Sequence, residues 1–342
     1  MEPAAGRGFV RRARALTTAL VIVGGLLAAC SGERDELTIY SGREESLVAP
    51  ILRRFADEAG IDVAIRYGDS VDLALLIAEE GEETPADVFF SQSPGTVGFL
   101  EAEGMLDPLD DSVLGKVDPK FESREGDWVG VTARQRVLVY NSELVSEEDL
   151  PGSVFDLTDE RYAGDVGLAP TNASFQDFVT AMRLVEGDDA AREWLEAMSD
   201  NGNPIYADNS SIVAAVGRGE IPLGLVNHYY NYRALEEDPD APSRNYTFPA
   251  SDIGSLMIAS TVSVLESSDH KEEAAQLVNF LLSEEAQEFF SEETFEYPLV
   301  PGVPAADVLP PFDSLDAINF DIDRLGGDLR STTDMISDSG LL

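Results

Sequence analysis

One run of residues restricts the possible folds more than any other. Residues 128–140, Trp-Val-Gly-Val-Thr-Ala-Arg-Gln-Arg-Val-Leu-Val-Tyr, form an extended stretch in mid-chain, with Val129, Val131, Val137 and Val139 among its β-formers. An average strand has about 5–6 residues, so a strand of this length is suited to cross between two lobes. A second extended run, residues 255–265, is suited to be the return crossing. Around these runs strand and helix patterns alternate. Strands are expected at 37–40, 62–67, 87–90 and 221–226, and helices at 70–80, 94–103, 189–199, 270–282 and 283–290, with further helices beginning near Ser174 and after Asn209. Between Arg43 and Gly60, Val48, Ile51, Leu52 and Phe55 fall at helical spacing and Gly60 is the stop. Such alternation predicts an α/β protein with a parallel or mixed sheet covered on both faces. The acidic tail after Phe312 is expected to be ordered only in part.

The N-terminus reads as an export signal. Arg7, Arg11, Arg12 and Arg14 precede an apolar stretch, residues 15–29. That stretch falls short of the roughly 20 residues a membrane span needs. It ends in Leu27-Ala28-Ala29-Cys30, which is similar to the lipobox of bacterial lipoproteins and makes Cys30 the expected lipidation site. An ordinary signal peptide with a chance cysteine is the plainer alternative, and Arg11-Arg12 is a poor fit to a twin-arginine signal. Residues 30–36 would be a tether. Cys30 is the one cysteine in 342 residues, so no intrachain disulfide can form and the fold rests on its core.

The chain carries 65 acidic against 23 basic residues, a formal charge of −42. Loss of the arginine-rich signal makes the mature chain more negative still. Such a field repels nucleic acid and anionic lipid surfaces. With only three lysines (Lys116, Lys120, Lys271), the acidity resembles salt adaptation rather than a ligand signal.

The chemistry is concentrated at Asn227-His228-Tyr229-Tyr230, directly after an apolar strand-like run. Two tyrosines at a strand end are commonly core and rim. As phenolates, however, they are hard anionic donors suited to Fe(III). A phenol titrates near pH ~10, so only a strongly polarising cation makes it a ligand at neutral pH. No zinc HExxH, nucleophile elbow or P-loop is present, and two histidines do not build a Ser/His/Asp set. His228 adjoins the tyrosines but, by strand alternation, points away from them. An enzyme is therefore not expected.

From Leu37 to at least Pro301 the chain resembles the bacterial periplasmic ferric-ion-binding proteins, the substrate-binding components of iron(III) ABC transporters. Tyr40-Ser41-Gly42, Pro85-Ala86-Asp87-Val88-Phe89, the 128–140 run, Pro170-Thr171, Asn209-Ser210, Asn227-His228-Tyr229-Tyr230 and Glu296-Tyr297-Pro298-Leu299 occur in the family's order. The resemblance implies a two-lobed class II periplasmic binding-protein fold with mixed sheets, a crossing-strand hinge and a ligand cleft between the lobes. Residues 37–133 with 258–302 would form the first lobe, and 134–257 with 303–342 the second.

By position, the resemblance makes Tyr229 and Tyr230 the phenolate ligands of one ferric ion. Glu44 stands where relatives use His, and Gln92 where they use Glu, so the one negative charge of these two positions has moved across the first lobe. Gln92 is left to coordinate weakly or only to hydrogen-bond, and Glu45 could compete with Glu44. Phe175 occupies the place of a third tyrosine and cannot coordinate. Two phenolates and one carboxylate balance three positive charges and leave positions open for an anion such as phosphate or carbonate. The resemblance places that anion on the amides of Asn172, Ala173 and Ser174 at a helix start, where free N–H groups and the helix dipole favour negative charge. Arg134 and Asn209 are the candidate side-chain partners; the plainer readings are a solvated strand charge for Arg134 and a helix cap for Asn209.

The implied protein is an extracytoplasmic monomer, in contact with the membrane through its lipid anchor only, that hands ferric ion to an ABC permease. The alternative is the same fold binding a small organic anion, such as a phosphonate or carboxylate, without metal.

Overall fold

The computed structural model describes residues 36–342. The expected signal, Cys30 and residues 30–35 of the expected tether lie outside the described residues. Among the described residues ten strands are present: β1 (Glu36–Ser41), β2 (Asp62–Tyr67), β3 (Val88–Ser91), β4 (Leu106–Asp107), β5 (Trp128–Asn141), β6 (Val166–Gly167), β7 (Leu223–Asn227), β8 (Ser243–Tyr246), β9 (Met257–Leu265) and β10 (Tyr297–Pro298). They form a mixed sheet with the path β2-β1-β3-β9-β5-β7-β6; β10 and β8 also pair with β5, and β4 pairs with β9.

The long run is the shared strand. From Trp128 to Gln135, β5 pairs antiparallel with β9, and from Arg136 to Tyr140 it pairs antiparallel with β7. Its partner changes between Gln135 and Arg136, so one strand belongs to both halves of the sheet. All fourteen of its residues are buried, which is why it reads as a continuous run instead of alternating with solvent-facing residues. The second extended run behaves differently. β9 stays with β3, β4 and the first part of β5 throughout. The return between the halves is made just before it, in the 3-10 turn Ile253–Ser255, where the Arg136 amide donates to the Leu256 carbonyl at 2.8 Å.

The expected helices are present. Glu45–Ala59 buries Val48, Ile51, Leu52 and Phe55, and ends at Gly60 in the left-handed region, φ 67°. Pro94–Ala102 is buried from Pro94 to Leu100 and crosses the 3-10 segment Ile322–Asp328 so closely that a Cβ on Gly98 would lie 2.5 Å from Gly326 Cα. The tail is thus more structured than expected. Its last helix, Leu329–Asp338, buries Leu329, Met335 and Ile336 together with Thr332, a buried stripe at helical spacing within an acidic segment. Among the described residues no helix is long and apolar enough to cross a membrane.

Candidate metal centre

The tyrosine pair does not sit at a strand end. β7 stops at Asn227 and the chain turns directly into the helix His228–Glu237, whose first turn carries both tyrosines. At this junction the Asn227 side chain is tied to other elements: it donates to Ser174 Oγ at 3.1 Å and accepts from Arg136 Nη1 at 3.3 Å. Tyr229 and Tyr230 are buried and their rings stack, centroids 4.1 Å apart at 28°.

Three of the four candidate ligands meet at one atom. The Tyr230 hydroxyl donates to Glu44 Oε1 at 3.0 Å and receives a longer bond, 3.4 Å, from Gln92 Nε2. Glu44 comes from the loop after β1 and Gln92 from the loop after β3, on one half of the sheet. Tyr230 comes from the helix after β7, on the other. Glu45 starts its helix and is exposed, whereas Glu44 is half-buried. The Tyr229 hydroxyl is buried with no protein partner.

Burial pushes the Tyr229 phenol up to about 12, against the pull of Arg43. Burial, then Tyr229 and Glu44, drive Tyr230 well above its ordinary value. Without a cation both are phenols, and only a strongly polarising ion displaces their protons. Among the described residues no group of three His, Cys, Asp or Glu could hold a metal.

Beside the tyrosines lie three buried arginines. Arg43 Nη2 meets Glu296 Oε2 at 2.5 Å, and the same carboxylate accepts from the Thr132 and Thr294 hydroxyls, each at 3.2 Å. Arg134 is not a solvated strand charge: it is fully buried and none of its three guanidinium nitrogens has a protein partner. Arg136 bonds Asn227 through one nitrogen, and its other two are buried without a partner. Burial lowers both, then Arg43 lowers Arg134 and Arg134 lowers Arg136, the latter to about 9. Arg136 joins Arg134 as a buried cation of this strand. The sequence carries the signal: two arginines at alternate positions of an apolar run share a face.

The expected anion shelf is a helix start. Asn172 caps the helix Ala173–Glu186, its Oδ1 accepting from Ser174 N at 3.1 Å and from Ser174 Oγ at 2.6 Å, while its own N–H donates to Ala169 O at 3.1 Å. The Ser174 amide is therefore already capped, and the bonds Arg136–Asn227–Ser174–Asn172 form a chain beside it. Asn209 is not a cap. Asp208 caps the helix Asn209–Gly217 through Ser211 N, and Asn209 Nδ2 is buried without a partner. Phe175 packs against Phe178 and Trp194 in an apolar cluster. His228 is fixed as the first residue of its helix, not by strand alternation: Nδ1 accepts the Gln135 amide at 3.1 Å and the ring stacks on Tyr297. Burial lowers it to about 3, so it is neutral.

Comparison with known proteins bears on the family and the fold. The family described as bacterial extracellular solute-binding protein matches residues 83–321. The major ferric iron-binding protein of Neisseria meningitidis is 33% identical over 300 residues, covering 86% of this chain and 90% of that one. Among solved structures, iron-bound HitA from Pseudomonas aeruginosa is 36% identical with TM-score 0.85, covering 89% of this chain and 99% of that one. The Trichodesmium protein IdiA (FutA), in complex with iron and citrate, is 26% identical with TM-score 0.75, covering 90% and 100%. The chain belongs to the bacterial extracellular solute-binding proteins, within the group of periplasmic ferric-ion-binding proteins that share the class II binding-protein fold.

Proposed function

We propose that this protein captures Fe(III), as its cargo and not as a resident cofactor, in a cleft between the two halves of its sheet and delivers it to an ABC permease outside the cytoplasm. Tyr229 and Tyr230 would ligate as phenolates and Glu44 as a carboxylate. Gln92 would coordinate weakly or hold Tyr230 by a hydrogen bond. The observation that carries this reading is the meeting of Glu44, Gln92 and Tyr230 at one hydroxyl from opposite halves. A ligand that bridges two halves favours the closed form, because its contacts exist only there.

In this reading residues 37–133 with 258–302 move against 134–257 with 303–342, flexing where β5 changes partner and at the turn before β9. A synergistic oxyanion, phosphate or carbonate, would complete the site at Arg134, Asn209 and Arg136, beside the helix start Asn172-Ala173-Ser174, whose Asn172 and Ser174 amides are engaged within the protein. Support comes from the buried guanidinium nitrogens and the Asn209 amide, which the protein itself leaves unpaired, since buried polar groups are normally bonded. Cys30 would carry the lipid, its acyl chains the only membrane contact of a monomer. Binding of a small organic anion without metal remains the second reading, because two of the three buried arginines lack a paired carboxylate.

Visible absorption of the lipid-free mature chain, titrated with a weak ferric chelate with and without phosphate or carbonate, tests the proposal. The expected result is a tyrosinate-to-iron band saturating at one ion per chain and missing from the Tyr229→Phe/Tyr230→Phe double variant. A folded protein with no band would leave the organic-anion reading.

A further inference from the structure

We infer that Asp177 is a positioning residue for ion capture: its carboxylate clamps the helix that begins the anion shelf to the loop that carries Gln92, and so holds the closed form. The inference rests on the ferric-capture reading above. Asp177 lies one turn into the helix Ala173–Glu186, beyond Asn172 and Ser174, on the half of the sheet formed by β6 and β7. Its Oδ1 accepts from Ser93 Oγ at 2.6 Å and from Gly95 N–H at 3.2 Å. Both donors belong to the other half, in the loop after β3 and the first turn of the helix Pro94–Ala102, and Ser93 directly follows Gln92.

The grip is built on both sides. The loop is braced within its own half: Ser91 Oγ and Thr96 Oγ1 each donate to the Ser93 carbonyl at 2.9 Å, Ser93 N donates to Ser91 Oγ at 2.9 Å, and Gln92 N donates to Ser70 Oγ at 2.9 Å. The Ser93 hydroxyl takes no part in that bracing and reaches across to Asp177. Position 95 must be glycine for the grip to form, since a Cβ there would lie 2.4 Å from Asp177 Oδ1. The carboxylate also faces the first-turn amides of a helix, where negative charge is favoured.

Stability alone does not account for this carboxylate. Asp177 is 2% exposed and its Oδ2 has no partner, and a buried ionised group left partly unsatisfied is a poor source of folding energy. Burial pushes it up to about 7, against the Ser93 bond, Arg134, the Gly95 amide and Arg136. Such a group is better suited to a contact that forms and breaks. When the halves part it regains water, and when they close it sets the Gln92 loop and the anion shelf in register.

The test uses the lipid-free mature chain loaded with Fe(III) and phosphate, with loss of the charge-transfer band followed after adding excess chelator. Asp177→Ala should release iron about 10–100-fold faster, the scale of supporting residues around metal ligands. Its band position should be unchanged, because the ligands are intact. Ser93→Ala should move release in the same direction. Asp177→Asn, whose amide oxygen can still accept from Ser93 and Gly95, should release at close to the wild-type rate. Small-angle scattering should show less contraction on loading for Asp177→Ala than for wild type. Wild-type release rates in Asp177→Ala and Ser93→Ala would overturn the clamp, as would an Asp177→Asn variant as fast as Asp177→Ala. If Asp177→Ala does not fold, Ser93→Ala reads the same bond from its other end. A wild-type chain with no band would defeat the ferric reading alone. Contraction on adding phosphate without metal, compared between wild type and Asp177→Ala, would then decide the clamp separately.

Discussion

The Tyr230 hydroxyl stands 3.0 Å from the Glu44 carboxylate, a bond between residues 186 positions apart that joins the two halves of the sheet. Tyr229 makes no such bond, although its ring stacks on that of Tyr230. The two phenols therefore differ in what they do without metal. In the ferric-capture reading, Tyr230→Phe removes a proposed ligand and both of its bonds to the other half, while Tyr229→Phe removes a proposed ligand only. Scattering of the metal-free chain should show Tyr230→Phe more open than Tyr229→Phe, and each should weaken ferric binding. Equal metal-free dimensions for the two variants would contradict this difference.

Gln92 is the second residue to reach Tyr230. If it only supports that ligand, Gln92→Ala should cost about 10–100-fold in ferric affinity. Gln92→Glu should lessen the dependence on added phosphate or carbonate, because a second carboxylate then shares the ion's charge. A ferric titration at fixed anion concentrations reads both effects.

Arg134 is buried with its guanidinium unpaired by the protein. A buried guanidinium without a partner carries its desolvation cost uncompensated. Arg134→Met should accordingly match or exceed the wild type in urea unfolding without ligands, yet lose the enhancement of ferric binding by phosphate or carbonate. A marked loss of stability would mean the guanidinium is satisfied inside the protein.

Glu296 has the opposite role. It neutralises Arg43 at 2.5 Å and anchors two threonine hydroxyls. Glu296→Ala leaves that guanidinium buried without its counter-charge, which costs about 3–5 kcal/mol. The urea midpoint should fall accordingly, with or without bound metal.

Two buried groups give stability opposite slopes with pH. Asp177 is raised to about 7 in the native state, so its contribution is fully present below its unfolded value and is lost as pH rises through about 7. His228 is lowered to about 3, so its contribution is present above its unfolded value and is lost as pH falls toward about 3. Asp177→Asn should therefore gain stability relative to wild type as pH rises from about 5 to about 8. A constant difference across that range would place the Asp177 carboxyl near its ordinary value.

Much of the architecture was legible along the chain. The extended run at 128–140, the helical spacing before Gly60 and the strand–helix alternation are local patterns, and a strand buried on both faces is rich in β-forming apolar residues whatever its partners. The tyrosine pair was legible for its chemistry but not for its setting. The turn from strand to helix after Val226 sits where Asn227 bonds Ser174 and Arg136, 53 and 91 positions away, and no local pattern carries those contacts. The spacing of Arg134 and Arg136 placed them on one strand, yet a charge in such a run can be solvated or buried. Only packing on both faces of β5 decided that.

The sequence by itself therefore determined the α/β class, the long shared strand and the residue types that could meet a hard cation, because these follow from periodicity and side-chain chemistry. The tertiary structure decided that β5 changes partner at Gln135–Arg136, that Glu44 and Gln92 converge on Tyr230, and that Asp177 reaches Ser93 and Gly95. Those outcomes join residues tens to hundreds of positions apart, and no local pattern carries the distance between them.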